Sequence, residues 1–456
     1  MIESIPLSHL SLRPVTDLDF YCLLDGSIIY INIIPTHSVI VCLGSIKMKF
    51  IIEKTLATGG RLGIISQANR QGNVTLETPM CTLFTKGGSA PHLSIDMLRR
   101  VAHVPEVAVM SLGALADHHE TVAEFGKGLR EFTAMSNPVI FTTLHDASAA
   151  ISPGKNDNSG VAVWGKGGKI KLDTSLFMKI QESFCPDWFQ AMSDGDTDVS
   201  CGNKRLVKSV DRTLDFLDEI VEAKNKSEVL SKSSLIGVIE GGFSETQRKR
   251  SAAETVARPV DGFLIEGFEK GNRDVDLFSL PDFTKILSFT LEQLPTDKPR
   301  IMETVWSPLQ VIKAFKLGVD VFSSAYPHIL TEKGLALVSD YSLPPLSQPA
   351  KLELQTANAK NEETNGLYID LHNSRYSEDF GSILPGCSCY ACTNFTRAYI
   401  HHLLKTKELL AFVLLTMHNF HQYFEFFQHL RLSLKSDRLN ELEDYLSQQL
   451  NSGLDR

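Results

Sequence analysis

Residues 235–268 read LIGVIEGGFSETQRKRSAAETVARPVDGFLIEGF. Leu235–Ile239 is a short apolar run that predicts a strand, and Gly241-Gly242 follows it as a turn. Ser244–Ala257 then has the charge and apolar spacing of an amphipathic helix, and Gly262–Ile265 is the next apolar run. Strand, turn, helix and strand in that order make a βαβ unit, whose two strands are parallel. The same alternation extends from about Ile140 to Pro327. The other predicted strands are Pro138–Thr143, Trp188–Met192, Ile301–Glu303 and Asp320–Phe322, and Pro308–Leu317 is a further helix. The number of units favours an α/β fold of the TIM (β/α)8 barrel type over an open sheet.

Outward from this core the composition changes. Residues 48–342 are expected to form the barrel, and residues 343–364 (LPPLSQPAKLELQTANAKNEET) a linker or loop. Residues 365–456 are expected to form a helical module, with helices over 393–415, 417–434 and 436–450. Residues 1–47 are an extra segment. Its stretch 20–47 is apolar, but Asp25, Pro35, Thr36 and His37 interrupt it before the ~20 residues that a membrane-crossing helix needs. With 456 residues, 43% of them apolar, and a formal charge of -9, the chain has the composition of a globular protein. That charge excludes a general polyanion binder, so contact with nucleic acid must be local or shared with a partner.

Five of the eight cysteines are scattered, whereas Cys387, Cys389 and Cys392 crowd into Cys-Ser-Cys-Tyr-Ala-Cys behind Gly386. Three soft ligands on one tight loop suit a zinc ion, and a fourth ligand must come from elsewhere. His418 would close a Cys3His site from inside a helix. His401, His402, His421 and His429 offer the same donor, and spacing alone does not choose among them. Four protein ligands leave no open position, so such a zinc ion, one per chain, would be structural.

The segment GCSCYACTNFTRAYIHHLL, followed by LLTMHN and preceded by NSRYSEDF, resembles the zinc module of the tRNA-guanine transglycosylases. In that resemblance the fourth ligand is His418. GVIEGG with the following strand resembles the family's base-pocket segment, and GVDVF resembles the strand that carries its catalytic carboxylate. TKGGSAPHL, PDWFQAMSDGD and GVIEGG point to the non-catalytic half of the eukaryotic enzyme. The resemblance covers about residues 48 to 450 and implies the same barrel with a zinc module.

The family reaction exchanges guanine for queuine at the wobble position, 34, of tRNAs with GUN anticodons, and it needs a carboxylate nucleophile at the ribose C1′. In catalytic members the strand reads roughly G-V-D-x-F-D with the last Asp as nucleophile. Here Ser323 stands in that place, so no catalytic residue is expected in this chain. Asp320 is three residues earlier, an odd offset that points it to the other strand face. Where catalytic members read D-S-G-G-F-Q, this chain has FTTLHDASAA, and Asp146 reaches that role only by a register shift. Asp194, Gly241, Gly242 and Gly267 match the family's base-pocket positions; helix capping for Asp194 and tight turns for the glycines are the plain alternatives. The resemblance implies a catalytic queuine tRNA-ribosyltransferase subunit as heterodimer partner, a homodimer as competitor, tRNA but not DNA as ligand, and a cytoplasmic place with peripheral attachment to the mitochondrial outer membrane. Two other readings remain: a transglycosylase using Asp320 or Asp146, and a queuine-binding salvage protein.

Asp117-His118-His119-Glu120 lacks the order of a zinc protease motif, and Gly87-Gly88, Gly165–Gly168 and Gly154-Lys155-Asn156 lack the G-K-[ST] of a phosphate loop. The basic set Arg397, Lys405, Lys407, Arg431, Lys435 and Arg438 could touch RNA phosphates, although interspersed acids favour a solvated surface.

Overall fold

Eight parallel strands close on themselves: β1 (Met80–Phe84), β2 (Val107–Ser111), β3 (Val139–Thr143), β4 (Trp188–Gln190), β5 (Ser234–Ile239), β6 (Gly262–Ile265), β7 (Arg300–Met302) and β8 (Val321–Ser323). Closure is made by β8 pairing with β1, with Val321 opposite Met80 and Ser323 opposite Thr82. These observations come from a computed structural model. It describes residues 47–135, 137–149, 155–165, 167–269, 276–343 and 366–452, together with the backbone of four strands between residues 13 and 44. The expected linker lies outside the described residues from residue 344 onward.

The barrel agrees with the sequence expectation, and its first two strands add to it. β1 and β2 are buried at every position, as β3, β4 and β6 are, but the helices that follow them, such as Ile95–Leu98 and His119–Phe125, are too short to show the amphipathic period that marks the later units. The helices are set by local chemistry. In α1 (Asn203–Lys226) one long face is buried. α2 (Glu245–Val256) starts at Ser244, whose side chain accepts the Gln247 N–H. α3 (Pro308–Leu317) has a full capping box between Ser307 and Gln310, proline in its first turn and Gly318 at φ 112 as its left-handed stop. α4 (Ala325–Glu332) follows β8 directly.

The C-terminal module contains α5 (Tyr390–Asn394), α6 (Arg397–Thr406), α7 (Leu409–Lys435) and α8 (Leu439–Ser452). The expected helices over 393–415 and 417–434 are corrected here. The chain breaks at Thr396, which caps α6 through the Tyr399 N–H, and at Lys407, which takes φ 59. It then runs unbroken through residue 416 in α7. An antiparallel pair, Leu335–Leu337 with Tyr368–Asp370, joins the barrel's last connection to the module. Residues 20–47, apolar in sequence, contribute strands Asp19–Leu24, Ser27–Ile33 and Val39–Gly44 to an antiparallel sheet. Among the described residues no helix is long and apolar enough to cross a membrane.

Candidate functional site

Gly386, at φ 81, turns the chain so that Cys387, Cys389 and Cys392 face one point beside α7. From the facing helix, His418 Nδ1 lies 3.4 Å from Cys389 Sγ, 3.3 Å from Cys392 Sγ and 3.9 Å from Cys387 Sγ. Its other ring nitrogen donates to the Leu337 carbonyl at 2.6 Å. That bond fixes the tautomer and leaves Nδ1 as the electron-pair donor toward the thiols. The cysteines form no disulfide, and the four ligand atoms lie within 4.8 Å of one another. The cluster therefore has the donor set of a structural tetrahedral metal site. His401 instead bonds the Leu371 carbonyl at 2.9 Å, and the His429 ring lies tilted beside Tyr341 with centroids 6.5 Å apart.

Asn419 completes the attachment. Its amide donates to the Leu335 carbonyl at 2.9 Å and to Thr331 Oγ1 at 3.0 Å, and its oxygen accepts the Leu337 N–H at 2.9 Å. The His418-Asn419 pair thus bonds the edge of the Leu335–Leu337 strand as another strand would. On the same helix, the Tyr423 hydroxyl donates to the Trp306 carbonyl at 2.8 Å and lies 3.4 Å from the Ser323 carbonyl.

At the C-terminal mouth of the barrel, loops after β4, β6 and β7 form a cleft lined by Gly195, Asp196, Glu266, Gly267 and Glu303, with a volume of about 50 Å³. Asp194 follows β4 and is fully buried. Its two carboxylate oxygens take Arg205 at 2.6 and 2.9 Å, Arg212 at 2.9 Å and Asn156 at 3.0 Å. Both arginines come from α1. Gly267 lies in the cleft wall at φ 81, where an added Cβ would be 2.2 Å from Glu240 Oε2. Gly241 and Gly242 lie lower, in the turn after β5, where Arg248 binds the Gly242 and Ile239 carbonyls at 2.8 Å each. Behind the cleft, Glu240 is fully buried with neither oxygen hydrogen-bonded. Desolvation, reinforced by Glu266, pushes its carboxyl well above the ordinary range.

Ser323 ends β8, and its Oγ accepts the Ala325 N–H at 3.3 Å. Among the described residues its hydroxyl has no His, Lys or carboxylate hydrogen-bond partner. Asp320 precedes the strand, at the end away from the cleft, and is fully buried. Arg61 Nε donates to it at 3.1 Å, a second Arg61 nitrogen makes an ion pair with it, and the Arg300 N–H donates at 2.8 Å. Asp146 Oδ1 accepts from the N–H and hydroxyl of Ser148 at 2.7 and 2.8 Å. Of the basic C-terminal set, Arg397, Lys435 and Arg438 pair with Asp379, Glu77 and Glu441. Sequence reasoning missed Arg205, Arg212 and Glu240. The first two were visible as arginines seven apart in the polar stretch after SDGD, and Glu240 as the acid directly before Gly241-Gly242.

A closed eight-stranded barrel carrying a helical module with a Cys3His cluster that could hold a metal ion defines the class of protein. The family model for queuine tRNA-ribosyltransferase matches residues 56–452, and the chain belongs to that family. It is 41% identical over 422 residues to the human queuine tRNA-ribosyltransferase accessory subunit 2, covering 88% of this chain and 100% of the human one. The proteins of that name from Xenopus tropicalis and Aedes aegypti are 40% and 32% identical, each over 88% of this chain and over 100% and 93% of their own lengths.

Proposed function

We propose that this chain is the non-catalytic subunit of a queuine tRNA-ribosyltransferase. It would partner a catalytic subunit and help position tRNA while guanine at wobble position 34 is exchanged for queuine. The observation that carries the non-catalytic part is Ser323 at the end of β8, a buried hydroxyl without an activating base. Double displacement at C1′ needs an anion there that can leave again, and an unactivated hydroxyl does not supply one. Asp320 is engaged by Arg61 and Arg300 at the other end of the strand. The relatives named as accessory subunits support the partnership.

The Cys387, Cys389, Cys392 and His418 cluster fits zinc by its donor chemistry. When bound, a zinc ion would hold the 387–392 loop to α7 and perform no chemistry, since no coordination position is left. The base-pocket reading of Asp194, Gly241, Gly242 and Gly267 rests on resemblance, and the arginine clamp on Asp194 would have to open for it to hold. We place the complex in the cytoplasm, with heterodimer and homodimer as competing assemblies and any contact with the mitochondrial outer membrane peripheral.

The test is base exchange into tRNA by this chain alone, by a catalytic subunit alone, and by the two co-expressed. Exchange only in the mixture supports the accessory role. Exchange by this chain alone overturns it, and a covalent tRNA adduct on Asp320 or Asp146 would then identify the nucleophile. Queuine binding by the isolated chain would instead favour the salvage reading.

A further inference from the structure

A second group of metal-ligating side chains lies outside the cysteine cluster and the barrel mouth. His92, in the loop after β1, meets His328 and Glu332 of α4, and the three ligand atoms lie within 4.8 Å of one another. Glu332 Oε1 is 2.6 Å from His92 Nε2 and 3.8 Å from His328 Nδ1. His328 is 3% exposed, and its Nδ1, aimed at this carboxylate, has no hydrogen-bond partner. A buried nitrogen left without a hydrogen-bond partner is unfavourable, and a ligand there would offset that cost.

The rings are held in place before any ion arrives. His328 stacks on Phe84 of β1 with centroids 5.1 Å apart, and His92 stacks on Phe412 of α7 at 5.4 Å. Glu332 and His92 are 48% and 27% exposed, so the site is open to solvent on one side. Lys86 and Asp146 act on it electrostatically with opposite signs. An ion bound at about 2.0–2.2 Å needs donors about 3.4 Å apart, so side-chain movements of about 1 Å bring this set to coordination distance. Two imidazoles and one carboxylate suit zinc, nickel, copper or iron, whereas calcium and magnesium prefer an all-oxygen shell.

We propose that His92, His328 and Glu332 bind a divalent transition-metal ion, separate from the cysteine cluster and with one coordination position open to solvent or to a donor from a partner. The ion would tie the loop after β1 to α4 and, through Phe412, brace both against α7.

The test is a titration of Co2+ into the full chain after its cysteine cluster has been filled with zinc, followed by visible absorption. Wild type is expected to take up one Co2+ per chain, with d–d bands and no sulfur-to-cobalt charge transfer. His92→Gln and Glu332→Gln, both at exposed positions, are expected to lose that equivalent while keeping zinc content and far-UV circular dichroism. His328→Phe keeps the stack on Phe84 and is expected to lose it too. Absence of Co2+ uptake by wild type, uptake retained in both exposed-site variants, or bands carrying only sulfur charge transfer would each overturn the proposal.

Discussion

Asp320 is the residue on which the enzymatic and accessory readings differ most sharply, and Asp320→Asn separates them. The structure makes it a buried anchor: 0% exposed against Arg61 at 2%, with the Arg300 N–H as a third partner. Arg61 also donates to the Thr296 carbonyl at 2.8 Å and the Lys298 carbonyl at 3.2 Å, so its guanidinium cannot swing to solvent without breaking those bonds. Removing the carboxylate charge leaves that cation uncompensated in the interior, a loss of about 3–5 kcal/mol. Set against a total stability of about 5–15 kcal/mol, this would move a urea unfolding curve plainly at neutral pH. Arg61→Met makes the reciprocal cut. Desolvation already pushes Asp320 up while Arg61 holds it down, so without Arg61 its pKa rises further. A carboxyl raised on folding contributes stability below its unfolded pKa and loses it as pH rises, so Arg61→Met should cost less at pH 5 than at pH 8. Stability of Asp320→Asn within about 0.5 kcal/mol of wild type, with exchange by the co-expressed pair abolished, would refute the anchor and restore Asp320 as a candidate nucleophile.

The metal cluster and its polar support should separate by mutation. His418→Ala is expected to remove the ion of the cysteine cluster, read as one metal ion fewer per chain by native mass spectrometry, and to make the 387–392 loop protease-sensitive. Asn419→Ala should keep the ion yet lose about 1–3 kcal/mol for each Leu335 or Leu337 backbone group left unpaired, read by urea unfolding. Glu240, raised from 4.5, contributes stability that is present below pH 4.5 and lost as pH rises through its elevated value. Thermal unfolding of Glu240→Gln should therefore gain on wild type as pH rises above 4.5, and a difference that does not change with pH would count against a raised Glu240.

How much of this was legible in the sequence depended on the range of the interactions. The βαβ unit at 235–268 declares itself because its strands, turn and helix are local, and α3 was legible to the residue because Pro308 and Gly318 punctuate it. The Cys-Ser-Cys-Tyr-Ala-Cys loop is local too, and the choice of His418 over four other histidines came from resemblance. β1 and β2 were missed because only short helices, such as Ile95–Leu98 and His119–Phe125, follow them, so no long amphipathic stretch marks the strand–helix alternation there. The α6–α7 break was missed because Lys407 adopts a left-handed stop that glycine usually marks. Arg61 and Asp320 are 259 positions apart, and no local rule pairs them. Strand parity in the sequence pointed Asp320 to the face opposite Ser323, whereas the structure keeps it from the mouth for a different reason, since it precedes the strand.

The helix that carries His418 also explains how a barrel of this family can change at residue 323 without losing its shape. α7 meets the end of β8 through Tyr423, whose hydroxyl approaches the main-chain carbonyls of Trp306 and Ser323, and through Phe427, whose ring lies 6.0 Å from that of Phe322. Neither contact uses the side chain at 323. A carboxylate or a hydroxyl there presents the same carbonyl to Tyr423, so the packing of module on barrel does not depend on the nucleophile. The cysteine loop, His418, Asn419 and Tyr423 lie along one continuous helix and its neighbours, so a metal ion bound at one end would fix the orientation of the other. The scaffold is therefore held by groups that chemistry at C1′ would not need, which lets the module persist in a chain whose β8 ends in Ser323.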